Sequence, residues 1–202
     1  MRKEAAKALL KTEALFFRPD EPFIWASGIE SPVYCDNRLV LTDPESRRVI
    51  EEGLIELIRK EYPQTEALFG TATAGIPHAA IAGYAMDLPM GYVRSGAKDH
   101  GRANRIEGRL QQGQKVLVIE DLISTGVSVI SAAKALQEAG AEVIGVVSIF
   151  SYNLQKADEA FAQAGLKYSS LTDFDSACEA AAETGYVKPE DIECLLAFRN
   201  SL

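Results

Sequence analysis

Val116-Leu117-Val118-Ile119-Glu120-Asp121-Leu122-Ile123-Ser124-Thr125-Gly126-Val127-Ser128 joins an apolar run, two adjacent acids and a small polar loop. Residues 116–119 are apolar without alternation, the pattern of a strand buried on both faces of a parallel sheet. Glu120 and Asp121 follow where such a strand would emerge at its C-terminal end. Ligands of open α/β sheets bind there, in the crevice outside the strand ends. Ser124-Thr125-Gly126 then leads into a helical pattern in which Ile130, Ala133 and Leu136 share a face. A hydroxyl- and glycine-rich loop entering a helix suits a phosphate. The first backbone N–H groups of the helix lack partners, and its dipole favours negative charge.

Two carboxylates beside a phosphate loop would repel the phosphate unless something else occupies them. A phosphorylated sugar resolves the conflict: ionised Glu120 and Asp121 accept hydrogen bonds from vicinal hydroxyls while the loop holds the phosphate of the same molecule. The plain alternative makes them solvated charges at a strand end, with Ser124 and Thr125 capping a helix. That alternative needs a buried strand, a double acid and a glycine turn to coincide. The loop is not a Walker P-loop, since it lacks both the Gly-x-x-x-x-Gly-Lys-Ser/Thr spacing and a Lys.

The whole chain, 202 residues, fits one domain over 1–202 with enough length for a full core. Its formal net charge of −8 argues against nonspecific nucleic-acid binding. No apolar run approaches a membrane span, and the first residues open a polar-faced helix rather than a signal peptide. Cys35, Cys178 and Cys194 are odd in number and form no CxxC, so free thiols in a reducing cytoplasm are expected.

Strand and helix patterns alternate along the chain. Ala6, Leu9, Leu10, Ala14 and Phe17 predict an amphipathic helix over about 2–17. A Pro-rich stretch over 18–41 follows, with short strands at Phe23-Ile24-Trp25 and Val33-Tyr34-Cys35. Asp43 is expected as N-cap and Pro44 as first residue of the next helix. Strands at about 66–70, 89–94, 115–120 and 142–149 alternate with helices at 75–86 and 127–139. The last fifty residues read as helical around one strand at about 167–171. This rhythm predicts an α/β fold, a mostly parallel doubly wound sheet flanked by helices. The stretch before residue 41, with part of the C-terminal region, is expected to form a small hood.

Two further segments bear on function. Residues 67–77 repeat the first design, a strand delivering Gly70-Thr71-Ala72-Thr73-Ala74-Gly75 into a helix with Pro77 in its first turn. Small side chains there let backbone amides approach an anion. Over 94–105 the cations Arg94, Lys98, Arg102 and Arg105 face the single anion Asp99, and Gly96 and Gly101 punctuate the run. A basic glycine-hinged loop in an acidic protein fits closure over an anionic substrate. His100 in that loop is suited to share charge with a leaving phosphate, whereas His78, just inside a helix, reads as structural.

The strand, acid pair and Ser-Thr-Gly-x-Ser loop resemble the type I phosphoribosyltransferases. The resemblance implies that Glu120 and Asp121 hold the ribose of 5-phosphoribosyl diphosphate (PRPP). It implies that Ser124, Thr125, Gly126 and Ser128, with Val127 between them, hold its 5′-phosphate, and that Leu122 and Ile123 also belong to the PRPP site. Thr73 and Ala74 would meet the pyrophosphate, in a loop that often contains a non-proline cis peptide in that family. Arg94-x-x-x-Lys98-x-His100-Gly101, with Ser27-Gly28-x-x-Ser31-Pro32-x-Tyr34, resembles the branch that uses orotate.

That branch implies pentosyl transfer from PRPP to orotate, giving orotidine 5′-monophosphate and pyrophosphate in pyrimidine synthesis. Arg94, Lys98 and His100 would bind the diphosphate, and Ser124 would also touch orotate. Lys98, His100 and Asp121 are the implied catalytic residues. Mg2+ would ride on PRPP without a direct protein ligand set. A homodimer is implied, with the 94–105 loop acting on the neighbouring subunit's site. The alternatives are a sibling enzyme for another base and a non-catalytic PRPP sensor. The chain departs from many relatives at Ala26, Ile29 and Ser95, where they carry Lys, Arg and Lys. It also has no obvious match for an orotate-contacting Arg after the 142–149 strand, where Tyr152 and Asn153 stand nearby.

Overall fold

A computed structural model describes residues 1–19, 21–24, 30–96 and 105–202. Helix α1 (Arg2–Lys11) ends six residues before the predicted boundary. Thr12 Oγ1 donates back to the Ala8 carbonyl at 2.9 Å, and Glu13 turns the chain with φ 55°. Leu15–Phe17 then forms strand β1 rather than helix. Ala14, just before the strand, and Phe17, within it, fit the helical spacing and are buried here as well, so the apolar pattern could not separate the two. The antiparallel partner decides: β1 pairs with β4 (Val33–Cys35), Leu15 opposite Cys35. Between them, β2 (Phe23–Ile24) and β3 (Glu30–Ser31) form a second small ladder.

A 3-10 turn (Asn37–Thr42) leads to α2 (Pro44–Glu61). Asp43 caps α2 as expected, accepting from the Ser46 N–H at 3.2 Å and its hydroxyl at 2.6 Å, and Pro44 occupies the first turn. Then follow β5 (Ala67–Thr71), α3 (Gly75–Met86), β6 (Met90–Val93), β7 (Ile106–Glu107), β8 (Lys115–Ile123) and α4 (Val127–Glu138). The chain ends through β9 (Glu142–Ser151), α5 (Gln155–Ala164), β10 (Tyr168–Asp173), α6 (Phe174–Glu183) and α7 (Asp191–Ser201).

Among the described residues six strands make the main sheet in the order β10-β9-β8-β5-β6-β7, and every pairing is parallel except β6 with β7. The two-residue β7 carries no alternation to read, which is why sequence missed it. The apolar run of β8 is buried throughout, and its side chains alternate between the two faces of the sheet. Leu117 and Ile119 pack into the core beneath α1, α2, α3 and α6, whereas Val116 and Val118 face the core beneath α4 and α5. From β5 the sheet grows outward to β6 and then returns to place β8 on the other side. The C-terminal ends of β5 and β8 therefore flank a topological switch point, the crevice where such sheets bind ligands. Among the described residues no helix is long and apolar enough to cross a membrane.

Candidate active site

Both loops singled out in the sequence end at this switch point. β5 delivers the Thr71–Gly75 turn, in which the Ala72–Thr73 peptide is cis, as the resemblance implied. Thr73 is exposed and Ala74, the N-cap of α3, is half-buried. Gly75 must be glycine. A Cβ there would stand 2.4 Å from the Ile119 carbonyl oxygen and 2.6 Å from Thr71 Oγ1, so only a bare backbone lets the turn lie against the end of β8.

β8 continues to Ile123, three residues past the predicted limit, so Glu120 and Asp121 sit within the strand. Their environments differ, because neighbouring strand residues face opposite sides. Asp121 and Leu122 are half-buried and Ile123 is buried. Glu120 is buried and turned inward: its Oε1 accepts from the Thr71 hydroxyl at 2.5 Å and from the Asp121 N–H at 3.0 Å. Burial pushes its carboxyl up to about 8, the neighbouring Asp121 carboxyl pushes the same way, and the Thr71 hydroxyl opposes. The two carboxylates are therefore not equivalent: burial favours the protonated form of Glu120 more than the sequence alone suggested.

A raised acid pKa means that the folded chain holds a proton that the unfolded chain has released. Stability owed to Glu120 is thus present below about 4.5 and is lost as pH rises towards about 8. Glu120→Gln, which cannot ionise, is expected to flatten the decline over that window by up to about 1.4 kcal/mol per pH unit. Parallel slopes for the two proteins in urea melts at stepped pH would contradict this.

The phosphate-loop candidate stands open. Ser124, Thr125, Val127 and Ser128 are exposed, and Gly126 is buried. Gly126 is the N-cap of α4 at φ 76° with no side-chain cap, so the plain reading of Ser124 and Thr125 as helix caps fails. A Cβ on Gly126 would come within 2.7 Å of the Phe161 ring on α5, in a backbone region that side chains disfavour. The first turn of α4 therefore offers backbone N–H groups and flanking hydroxyls to an anion.

The basic segment is described only at its ends. Arg94 N–H donates to the Arg105 carbonyl at 2.8 Å, and Arg105 Nε returns a bond to the Arg94 carbonyl at 2.8 Å. Arg94 lies 3.5 Å from Glu107 on β7, and Arg105 reaches the Ser131 hydroxyl on α4 at 2.9 Å. These contacts anchor the loop at the edge hairpin and beside α4. Lys98 and His100 lie outside the described residues, as do Ser27 and Gly28 of the hood motif. His78 is buried with Nδ1 2.6 Å from Glu51, which matches its structural reading.

The N-terminal strands present an aromatic face. Phe23 packs against Phe16 and Tyr34 with centroids 6.2 and 5.7 Å away, and Arg18 lies over the Phe23 ring at 4.9 Å. Ser31 is buried and closes the Ser31-Pro32-Val33 turn, its hydroxyl donating to the Val33 carbonyl at 2.7 Å. Tyr152 is buried between Phe150 and Phe174. A cation that sequence did not flag, Arg199 on α7, lies beside the end of β9. It approaches the Asn153 carbonyl at 3.5 Å but is paired with Asp175 at 3.0 Å. Asn37, whose side-chain amide donates to the Asp121 carbonyl at 2.8 Å, was missed, and Thr71 was read only as part of the 67–77 turn, without a role for its hydroxyl. No spacing pattern links either side chain to β8, because each reaches it only through the fold.

A mostly parallel sheet with an acid pair and an uncapped Ser-Thr-Gly loop at its switch point suits a phosphorylated sugar, the ligand of the phosphoribosyltransferase class. Residues 40–178 match the family described as Phosphoribosyl transferase domain. The orotate phosphoribosyltransferase of Bacillus subtilis is 54% identical over 201 residues, covering 100% of this chain and 93% of its own. The crystal structure of orotate phosphoribosyltransferase from Aeropyrum pernix has a TM-score of 0.78 at 29% identity, over 90% of this chain and 98% of that one. The Mycobacterium tuberculosis enzyme in complex with PRPP gives 0.66 at 27%, over 87% and 98%. The chain belongs to the orotate phosphoribosyltransferase family.

Proposed function

We propose that the protein transfers the 5-phosphoribosyl group of PRPP to orotate, yielding orotidine 5′-monophosphate and pyrophosphate for pyrimidine synthesis. The observation that carries this reading is the open Ser124–Ser128 loop at the start of α4 beside Asp121, at the switch point. In this reading an orotate nitrogen forms the bond to ribose C1 as the C1–O bond to pyrophosphate breaks. Positive charge develops on the sugar and negative charge on the leaving group. Such a reaction asks for positioning and preorganised charge more than for covalent chemistry.

The loop holds the 5′-phosphate through the α4 amides and the Ser124, Thr125 and Ser128 hydroxyls. Asp121 accepts from the ribose hydroxyls and lies near the developing positive charge. Glu120 braces the pocket from inside through Thr71. The Thr73–Ala74 backbone, with Arg94, Lys98 and His100, receives the diphosphate. Magnesium fits a site of this kind chiefly through substrate oxygens, since Asp121 supplies one half-buried carboxylate and Glu120 is committed to Thr71. When bound, it would neutralise part of the diphosphate charge.

A homodimer suits the surface of α3, which carries no Asp, Glu, Lys or Arg from Gly75 to Met86. Ala80 and Ala85 are exposed there and Tyr84 is 92% exposed. An uncharged helical face open to water is the usual mark of a surface meant to be covered. A second copy of the chain would cover it by two-fold symmetry. Cys35, Cys178 and Cys194 are free, which suits a cytoplasmic protein.

Supplying PRPP and Mg2+ with orotate, uracil or adenine in parallel tests the base. Orotate absorbance should fall with matching pyrophosphate release, and the other two bases should be inert. Turnover of uracil or adenine alone would redirect the assignment. Thr125→Ala is expected to weaken PRPP about 10-fold while orotate binding stays within twofold, since one hydrogen bond to a charged group is worth about 1.5 kcal/mol. Calorimetry giving normal PRPP binding would remove the phosphate role from this loop. Thr125 is a cleaner probe than Gly126, where any side chain also strikes Phe161.

A further inference from the structure

Strand β8 outlasts its neighbour β5. Their pairing runs from Ala67 opposite Val116 to Gly70 opposite Ile119 and stops, whereas β8 stays paired to β9 as far as Ile123 opposite Ser151. Past Ile119, the edge of β8 that faced β5 has no strand beside it among the described residues, at the place where the acid pair must be held. Buried backbone groups left unpaired are costly, so something has to complete this edge. Side chains do so. Thr71 Oγ1 lies 3.3 Å from the Ile119 carbonyl, the Asp121 N–H donates to Glu120 Oε1 at 3.0 Å, and Asn37 Nδ2 donates to the Asp121 carbonyl at 2.8 Å.

Asn37 comes from the opposite end of the chain, at the start of the 3-10 turn after β4, and is completely buried. Its Oδ1 accepts from the Cys35 thiol at 3.4 Å, which leaves the amide N–H group to face Asp121. We propose that Asn37 is a positioning residue for the transfer reaction: its amide replaces the missing strand at Asp121 and sets the direction in which that carboxylate meets the ribose. Fixing the Asp121 carbonyl fixes the peptide plane that follows it and hence the path of the chain through the residue. The side chain inherits that direction, and a binding group is effective only within about 0.5 Å of its productive place. This inference rests on the ribose role given to Asp121 above.

The test is a double-mutant cycle on the full chain: wild type, Asn37→Asp, Asn37→Ser, Asp121→Asn and the Asn37→Asp/Asp121→Asn pair. PRPP affinity with Mg2+ is read by calorimetry and melting temperature is read separately. Asn37→Asp keeps the shape and replaces the donating nitrogen with oxygen. It should weaken PRPP about 10-fold, the effect of one lost hydrogen bond. In the Asp121→Asn background the same change should cost less than twofold, because groups acting through one another do not add. A general packing defect would instead lower affinity equally in both backgrounds. Wild-type affinity for Asn37→Asp, or a full additive loss in the pair, would overturn the inference while leaving an impaired Asp121→Asn as support for the ribose role. An unimpaired Asp121→Asn would bring down that role and this inference together. Should Asn37→Asp not fold, Asn37→Ser, whose hydroxyl is too short to reach the carbonyl, takes its place in the cycle, alone and paired with Asp121→Asn, and is read by the same outcomes.

Discussion

Asp121→Asn should lower kcat/KM for PRPP by at least about 10- to 100-fold while the melting temperature stays close to that of the wild type. The magnitude follows from losing a charge-assisted contact worth about 1.5–3 kcal/mol, with further loss if the charge also steadies the transition state. The fold should survive because the Asp121 side chain is half-buried at a strand end, while its backbone is held by Asn37 and by the pairing of β8 with β9. Amide for carboxylate preserves shape and removes charge alone. Steady-state kinetics with PRPP varied at saturating orotate would decide it, and an unchanged kcat/KM would remove Asp121 from the ribose.

Mixing two inactive variants should restore activity. If the 94–105 loop of one subunit closes over the pocket of the other, Lys98→Ala and Asp121→Asn injure different halves of a shared site. Random exchange puts about half of the dimers in the mixed class, and each mixed dimer has one intact site of two. Recovery to about a quarter of wild-type activity is therefore expected, rising with the time allowed for exchange. The anchoring at Arg94 and Arg105 suits such a loop, since it is tied at the edge hairpin and to α4. If the loop serves its own pocket, every site keeps one lesion. No recovery after exchange has been verified by mass would rule out the shared site.

Much of this was legible because strong local signals coincided with the fold. The unbroken apolar run at 116–119, the Asp43-Pro44 cap and the Ser-Thr-Gly loop each encode their structure within a few residues. The buried strands of the sheet therefore fell close to the expected limits. The readings that changed depended on distant partners. Leu15–Phe17 joined a strand because Val33–Cys35 lay ready to pair with it. The Glu120 carboxyl is pushed upward because the fold buries it at the end of β8 beside Asp121, in a pocket closed by Thr71 from β5. Asn37 lies 84 residues from the carbonyl it holds, and no sequence spacing connects the two.

The contact between Gly126 and Phe161 also limits the order in which this protein can change over generations. The ring that crowds position 126 belongs to α5 and is stacked on Tyr168 of β10, with centroids 4.2 Å apart. A side chain at 126 is therefore barred twice, by the ring and by its own backbone angle. Drift at 126 becomes accessible only to a lineage that has first shortened residue 161, and even then it favours Asn or Asp, which tolerate that angle best. Two positions far apart in sequence are thus expected to vary in a fixed sequence of steps, with Phe161 as the gatekeeper.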